Sequence, residues 1–106
     1  MQIKNFLVGI PLNIQKEVTE RIISNGNVRI ERIISRGQSS PENFWYDQEE
    51  NEWVILIKGR ARLSFYDENK IVVLNEGDYL DIPAHKKHRV EWTDPDKETI
   101  WLAVFY

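Results

Sequence analysis

Most of the chain alternates between apolar and polar positions with a period of two, the pattern of half-buried β-strands, in which successive side chains point to opposite faces. Short apolar or alternating segments recur at intervals of about 8–12 residues, with turn-forming residues between them. The predicted strands are Val28–Ile34, Trp53–Ile57, Arg60–Tyr66, Ile71–Leu74, Tyr79–Pro83, His88–Thr93 and Thr99–Tyr106. The turn Asp67–Lys70 joins the predicted strands Arg60–Tyr66 and Ile71–Leu74 into a hairpin. This rhythm predicts a β-sandwich or a small barrel.

The N-terminal quarter of the chain has a different period. Its apolar residues Ile14, Val18, Ile22 and Ile23 fall on one face of a helix. Asn13 can cap the N-terminus of that helix, and Asn25-Gly26 can end it. We therefore predict one short helix over Asn13–Ser24, packed against the outside of the sheet.

Length and composition indicate one globular domain. The chain has 106 residues, 42% hydrophobic and 29% charged, which is ordinary for a folded domain. We expect residues 1–26 to form an extension with the helix and residues 27–106 to form the barrel. The absence of cysteine excludes disulfides, thiolate metal sites and cysteine nucleophiles. Any metal would need histidine, carboxylate or other oxygen ligands.

The charge and the apolar runs of the chain argue against nucleic acids and membranes as partners. The formal net charge is −3 and no stretch is strongly basic, which argues against a nucleic-acid-binding surface. No apolar run approaches the about 20 residues of a membrane-spanning helix, and the first residues lack a signal-peptide cleavage pattern. We expect a cytoplasmic protein that binds neither membranes nor nucleic acids, and whose partner is a small molecule.

Two spaced motifs carry a family resemblance. In the first, Glu52 is followed by six residues and then Gly59. In the second, Gly77 is followed by five residues, Pro83, one residue, His85, two lysines and His88. The pair of motifs, with the strand rhythm between them, resembles the cupin superfamily from about Arg29 to the C-terminus, and in particular small mannose-6-phosphate isomerase-like cupins. The one departure within the second motif is His85, which stands where the family has glycine.

The resemblance implies an all-β fold, the cupin double-stranded β-helix or jelly-roll barrel. Such a barrel is wide enough to hold one small ligand. Glu52 and His88 would meet in its interior, since residues of like parity along a strand share a face. Small cupins include sugar isomerases, epimerases and dioxygenases, which hold a divalent metal with three histidines and a glutamate.

The histidine pair of the first motif is missing from this chain. With a four-residue gap before Glu52, its two positions are Trp45 and Asp47; with a three-residue gap, they are Tyr46 and Gln48. We favour the longer gap, because the acidic stretch 48–51 resembles a turn. The metal ligands are then Asp47, Glu52 and His88, a set suited to Fe, Mn, Zn or Ni. The alternative is that Glu52 and His88 form a buried hydrogen-bonded pair without metal.

Further residues are assigned by position. Trp45, Tyr46, Gln48 and Trp92 are the predicted substrate-binding residues. Glu52 can act as a general base. His85 is either a further ligand or a surface loop residue.

Two functions remain open. One is a divalent-metal-dependent enzyme, isomerase-like or dioxygenase-like, with an altered metal site. The other is a non-catalytic cupin that binds a sugar or another small polar molecule without metal. The apolar C-terminal strand Trp101–Tyr106 also predicts a homodimer, because its bare apolar residues need a covering partner.

Overall fold

The computed structural model describes all residues 1–106, and its regular structure consists of β-strands alone. The strands are β1 (Val18–Asn25), β2 (Val28–Ser35), β3 (Glu52–Lys58), β4 (Ala61–Phe65), β5 (Ile71–Leu74), β6 (Tyr79–Ile82), β7 (His88–Thr93) and β8 (Thr99–Phe105). The seven strands predicted from the sequence are confirmed, with ends that differ by at most one residue. No helix is long and apolar enough to cross a membrane.

The strands form two antiparallel sheets that enclose one core. The larger sheet has the order β1-β2-β8-β3-β6, and the smaller has the order β5-β4-β7. Val54 and Leu56 of β3 and Phe105 of β8 meet Leu63 and Phe65 of β4 in the same hydrophobic cluster. The core therefore lies between the two sheets, as in a jelly-roll barrel.

The predicted helix over Asn13–Ser24 is wrong, because most of this segment is strand β1. It pairs along its length with β2, from Val18 opposite Ile34 to Asn25 opposite Val28. Its Val, Thr and Ile residues are β-branched and favour strands, and a register shift near Ile22 accommodates the two adjacent isoleucines. A helix of three turns has little stability of its own, whereas the hairpin completes its hydrogen bonds against β2.

The turn between β1 and β2 contains Asn25-Gly26, the pair that was interpreted from the sequence as the end of a helix. Two residues, Gly26 and Asn27, separate the strands, and only Gly26 has a positive φ, of 59°. A positive φ at the first central position with glycine there is the pattern of a type II′ turn. The Asn25-Gly26 pair therefore marks a hairpin end rather than a helix end.

A bulge in β7 changes which of its side chains point into the barrel. His88 lies opposite Phe65, but the register with β4 shifts, so that Trp92 lies opposite the exposed Arg62 and Thr93 lies opposite the buried Ala61. A bulge inserts one residue and turns the following side chains to the other face. The inward alternation that begins at His88 therefore ends before Trp92.

The C-terminal strand is central rather than exposed. β8 lies between β2 and β3, and Trp101 and Phe105 are 4% and 5% exposed. Trp101, Ala103 and Phe105 are thus covered by the chain's own core, while Leu102 and Val104 are half-buried and Tyr106 is exposed. The homodimer stays a prediction without this support.

Candidate functional site

A cavity of about 210 Å³ opens into the barrel between the sheets. Sites for drug-sized ligands have volumes of about 300–1,000 Å³, so this cavity suits a smaller molecule. Its apolar lining includes Val54, Leu63 and Phe105, which come from both sheets. The charged and amide side chains that line it are Glu17, Arg29, Glu31, Gln48, Glu52 and His88.

Glu52 and His88 meet within this cavity, as the sequence predicted. Nε2 of His88 lies 3.5 Å from Oε1 of Glu52, and both side chains are almost fully buried. Nδ1 of His88 donates a hydrogen bond of 2.8 Å to the carbonyl oxygen of Lys86. That bond orients the ring and leaves Nε2 to face the carboxylate.

The pair favours the imidazolium form of His88. Burial opposes protonation of the ring, but the interaction with Glu52 and the bond to Lys86 outweigh burial, so the pKa of His88 is raised above its usual 6.5. A carboxylate and an imidazolium that neutralise each other are the stable way to bury both groups.

The segment before β3 supplies the next two polar groups. Tyr46 is bridged to His88 by two backbone bonds, from Tyr46 N to His88 O at 2.7 Å and from His88 N to Tyr46 O at 3.1 Å. The ring of Tyr46 stacks on the imidazole with 5.5 Å between centroids. Gln48 donates its side-chain amide to Oε1 of Glu52 at 3.1 Å. Tyr46 and Gln48 line the cavity, so they occupy the two positions where the cupin motif has histidines.

Asp47 does not join Glu52 and His88. It lies between two cavity-facing residues in an extended segment, so its own side chain points to the opposite side. There its carboxylate contacts Nδ1 of His85 at 2.8 Å, and both side chains are largely exposed. The trio Asp47, Glu52 and His88 therefore does not form in this structure, and the residues of the shorter gap, Tyr46 and Gln48, are the ones that line the cavity.

His85 is a surface residue that fixes this segment. Its φ of 63° explains why the family has glycine at this position. Its backbone N–H donates to the carbonyl of Gln48 at 2.8 Å, while its ring holds Asp47. His85 thus clamps the segment that carries Tyr46 and Gln48, and its side chain stays outside the cavity.

Two of the predicted substrate-binding residues lie elsewhere. The ring of Trp45 packs edge-on against Tyr66 at 5.3 Å, away from the cavity lining. Trp92 stacks with Arg62 at 4.7 Å on the outer face, because the bulge in β7 turns it outward. Tyr46 and Gln48 are the two that line the cavity.

Four further residues that line the cavity were not predicted as site residues from the sequence. Glu17, just before β1, and Thr19 line the cavity beside Arg29 and Glu31 of β2. The alternation Glu17, Thr19 and the alternation Arg29, Glu31 are the signals that could have found them, once the segment is recognised as a strand. The helix prediction concealed Glu17 and Thr19, whereas Arg29 and Glu31 lie in a strand that the sequence did predict.

The residues present do not fit the metal centre of the family. No group of three or more His, Asp or Glu side chains is placed to hold a metal ion. Of the four family positions, only Glu52 and His88 keep ligating side chains, and these two face each other. Catalytic and structural metal sites in proteins have about three or four protein ligands, so two are too few.

The family assignment rests on the sequence and the fold together. Residues 31–105 match the family described as "Cupin domain". The chain therefore belongs to the cupin superfamily, and the two sheets, the inward glutamate and the inward histidine are features of that fold. No curated protein matches the chain.

Solved structures agree with this assignment. A crystal structure named "putative mannose-6-phosphate isomerase", from Ralstonia eutropha JMP134, is 38% identical, with a TM-score of 0.95 over 99% of this chain and 97% of that one. A cupin superfamily protein from Desulfitobacterium hafniense DCB-2 is 18% identical, with a TM-score of 0.73 over 91% and 82%. The polyketide cyclase RemF from Streptomyces resistomycificus is 17% identical, with a TM-score of 0.73 over 86% and 65%. The last two likenesses show the fold alone.

Proposed function

We propose that this cupin binds a small polar molecule in the barrel cavity and that binding needs no resident metal. The observation that carries the proposal is the closed contact among Gln48, Glu52 and His88. Each of these three groups has a partner within the protein, so none of the three is left waiting for a metal ion as its partner.

The arrangement suits recognition of a polar ligand. Cavities that bind small molecules combine apolar walls with a few fixed polar groups, and here the core side chains supply the walls. Glu52 and His88 form a pair whose proton can be shared, and His88 is held in place by Lys86. If the bound molecule reacts, Glu52 is the group that accepts a proton, and His88 donates one.

The similarity to a protein named as an isomerase is compatible with this proposal. Isomerisation of a hydroxy-carbonyl compound requires moving a proton between neighbouring atoms, which a carboxylate and an imidazole can do. We therefore propose ligand binding as the function and proton transfer by Glu52 and His88 as the chemistry available to it.

A metal-free thermal-shift screen tests the proposal. The protein is stripped with chelator and then screened against sugars, polyols and small polar metabolites. We expect at least one compound to raise the melting temperature, and the Glu52→Gln variant to lose most of that rise. Trp92→Ala is the matched control, because Trp92 lies on the outer face.

The same preparation decides the metal-dependent alternative. Titration with Fe, Mn, Zn and Ni, followed by elemental analysis, should show no stoichiometric uptake. Uptake of one metal per chain, together with ligand binding only after that uptake, would overturn the proposal in favour of a metal-dependent enzyme.

A further inference from the structure

The positive charges that line the cavity are already neutralised within the protein. Arg29 lies 2.9 Å from Glu31 and 3.0 Å from Glu50. Its guanidinium also packs over the ring of Phe105 at 4.1 Å. His88 is paired with Glu52. The two cations are therefore matched by three carboxylates, those of Glu31, Glu50 and Glu52.

Glu17 adds a carboxylate that is exposed to solvent on one side and has no cation within ion-pair distance. It lines the cavity, and its one hydrogen bond is from the hydroxyl of Ser35, 3.2 Å from Oε2. Burial and then the charge of Glu52 raise its pKa, with the Ser35 bond acting the other way. Burial and the charges of Glu17 and Glu52 likewise raise the pKa of Tyr46. Glu17 and Glu52 therefore line the same cavity.

We infer that the cavity selects a small ligand that carries a positive charge, such as a primary amine, and that Glu17 is the residue that recognises this charge. The inference rests on the proposed function, since it concerns the ligand of the same cavity. An ammonium group next to Glu17 would supply the counter-charge that the protein does not, and the apolar wall would take the carbon skeleton of the ligand.

The same charges disfavour an anionic ligand. A phosphate or carboxylate group would meet Glu17 and Glu52, and the arginine in the lining is flanked by two carboxylates. The arginines elsewhere do not help, because Arg62 lies on the outer face against Trp92 and Arg36 contacts the carbonyl of Asp96. Like charges inside a low-dielectric cavity repel strongly. A phosphorylated sugar is therefore a poor match for this cavity.

Three probes of one shape and different charge test the inference: cyclohexylammonium, cyclohexanol and cyclohexanecarboxylate. Each is titrated into the full-length protein at neutral pH, and binding is followed by the NMR signals of Tyr46, Gln48 and His88. We expect saturable shifts with cyclohexylammonium, an affinity for cyclohexanol at least tenfold weaker, and no saturation with the carboxylate.

Two variants assign the charge selection to Glu17. Glu17→Gln keeps the hydrogen bond to Ser35 and should reduce the affinity for the ammonium probe to that for the alcohol. Glu42→Gln, an exposed residue, makes the same change in net charge and should leave affinity unchanged.

Three results would overturn the inference: a preference for the carboxylate, an ammonium affinity that Glu17→Gln does not change, or saturation by none of the three probes. The proposed function is judged separately, by the thermal-shift screen. A neutral compound that stabilises the protein through Glu52 would uphold that function while charge selection by Glu17 fails.

Discussion

The side-chain amide of Gln48 donates a hydrogen bond to the carboxylate of Glu52, four residues further along the chain. This contact sets the alignment of the chain with the cupin motif. Because Tyr46 and Gln48 line the cavity with Glu52 and His88, we infer that these two residues, rather than Trp45 and Asp47, stand at the positions of the missing histidines. The alignment can be tested by restoring those histidines.

The double variant Tyr46→His/Gln48→His should bind a divalent metal that the wild-type protein does not. It would place two imidazoles beside Glu52 and His88, which completes a set of three histidines and one glutamate. We expect uptake of one Zn or Ni per chain. A metal at 100 times its Kd would stabilise the fold by about 2.7 kcal/mol, measured as a rise in melting temperature.

The matched control moves the same two imidazoles by one residue. Trp45→His/Asp47→His places them on the face of the segment that points away from the cavity, where Asp47 contacts His85. It should take up no metal at this site. Equal uptake by the two double variants would contradict the alignment.

The errors of the sequence analysis have a common physical origin. Val18, Ile22 and Ile23 satisfy a helical period in sequence, and only the pairing with β2 makes the segment a strand. The parity of Tyr46 and Asp47 depends likewise on a bridge to His88, 42 residues away along the chain. Local periodicity carries no information on either pairing. Local periodicity was enough to predict the seven strands from β2 to β8, because the alternation and the turn residues agree there.

The bulge in β7 is a third case of this kind. Glu52 and His88 could be placed inward from parity alone, because no irregularity precedes them in their strands. Trp92 could not, since the shift of register opposite Arg62 is a property of two strands rather than of one. Alternation along a strand therefore predicts which side chains point inward only up to the first bulge.

The Glu52→Gln variant should lower the pKa of His88. Removing the carboxylate leaves burial as the dominant influence on the ring, and burial disfavours the charged form. We expect an NMR titration of the imidazole to show a lower pKa for His88 in the variant than in the wild-type protein. The exposed Glu49→Gln is the control, and it should leave this titration unchanged.

The raised pKa of His88 determines how the stability lost in Glu52→Gln depends on pH. A group whose pKa is higher in the folded state contributes stability below its unfolded pKa, and this contribution is lost as the pH rises through the folded value. Glu52→Gln should therefore destabilise the protein more at about pH 6 than at about pH 9. Denaturant unfolding at the two pH values measures this, and an equal or reversed cost would contradict the ion pair.

Arg32 should hold the N-terminal arm, residues 1–12, against the sheet. Its guanidinium is buried and donates hydrogen bonds to the carbonyl oxygens of Phe6 at 2.9 Å, Val8 at 2.8 Å and Gly9 at 3.3 Å. The carboxylate of Glu20 accepts a further bond at 2.8 Å. Arg32→Met keeps the volume and removes every donor, so the arm should detach.

Limited trypsin digestion measures this detachment, because Lys4 lies within the arm. Cleavage after Lys4 should be several-fold faster in Arg32→Met than in the wild type. Arg36→Met, which removes an exposed arginine, should show the wild-type rate. Unchanged cleavage in Arg32→Met would mean that the arm is held by other contacts.

Gly59→Ala should cost more stability than Gly77→Ala, although both glycines have positive φ, of 97° and 89°. At Gly77 a methyl group would meet nothing within 4 Å, so the cost is that of the backbone conformation, about 1–2 kcal/mol. At Gly59 the methyl carbon would lie 2.7 Å from the backbone of Thr99, where β8 begins. That overlap adds about 1–3 kcal/mol, since the fully buried Thr99 cannot move away.

Denaturant unfolding of the two variants separates the steric cost from the conformational one, because the conformational cost is shared. A clear excess for Gly59→Ala would show that the first cupin motif ends in glycine because β8 passes directly over the β3–β4 turn. Equal costs for the two variants would assign this glycine to the turn conformation alone.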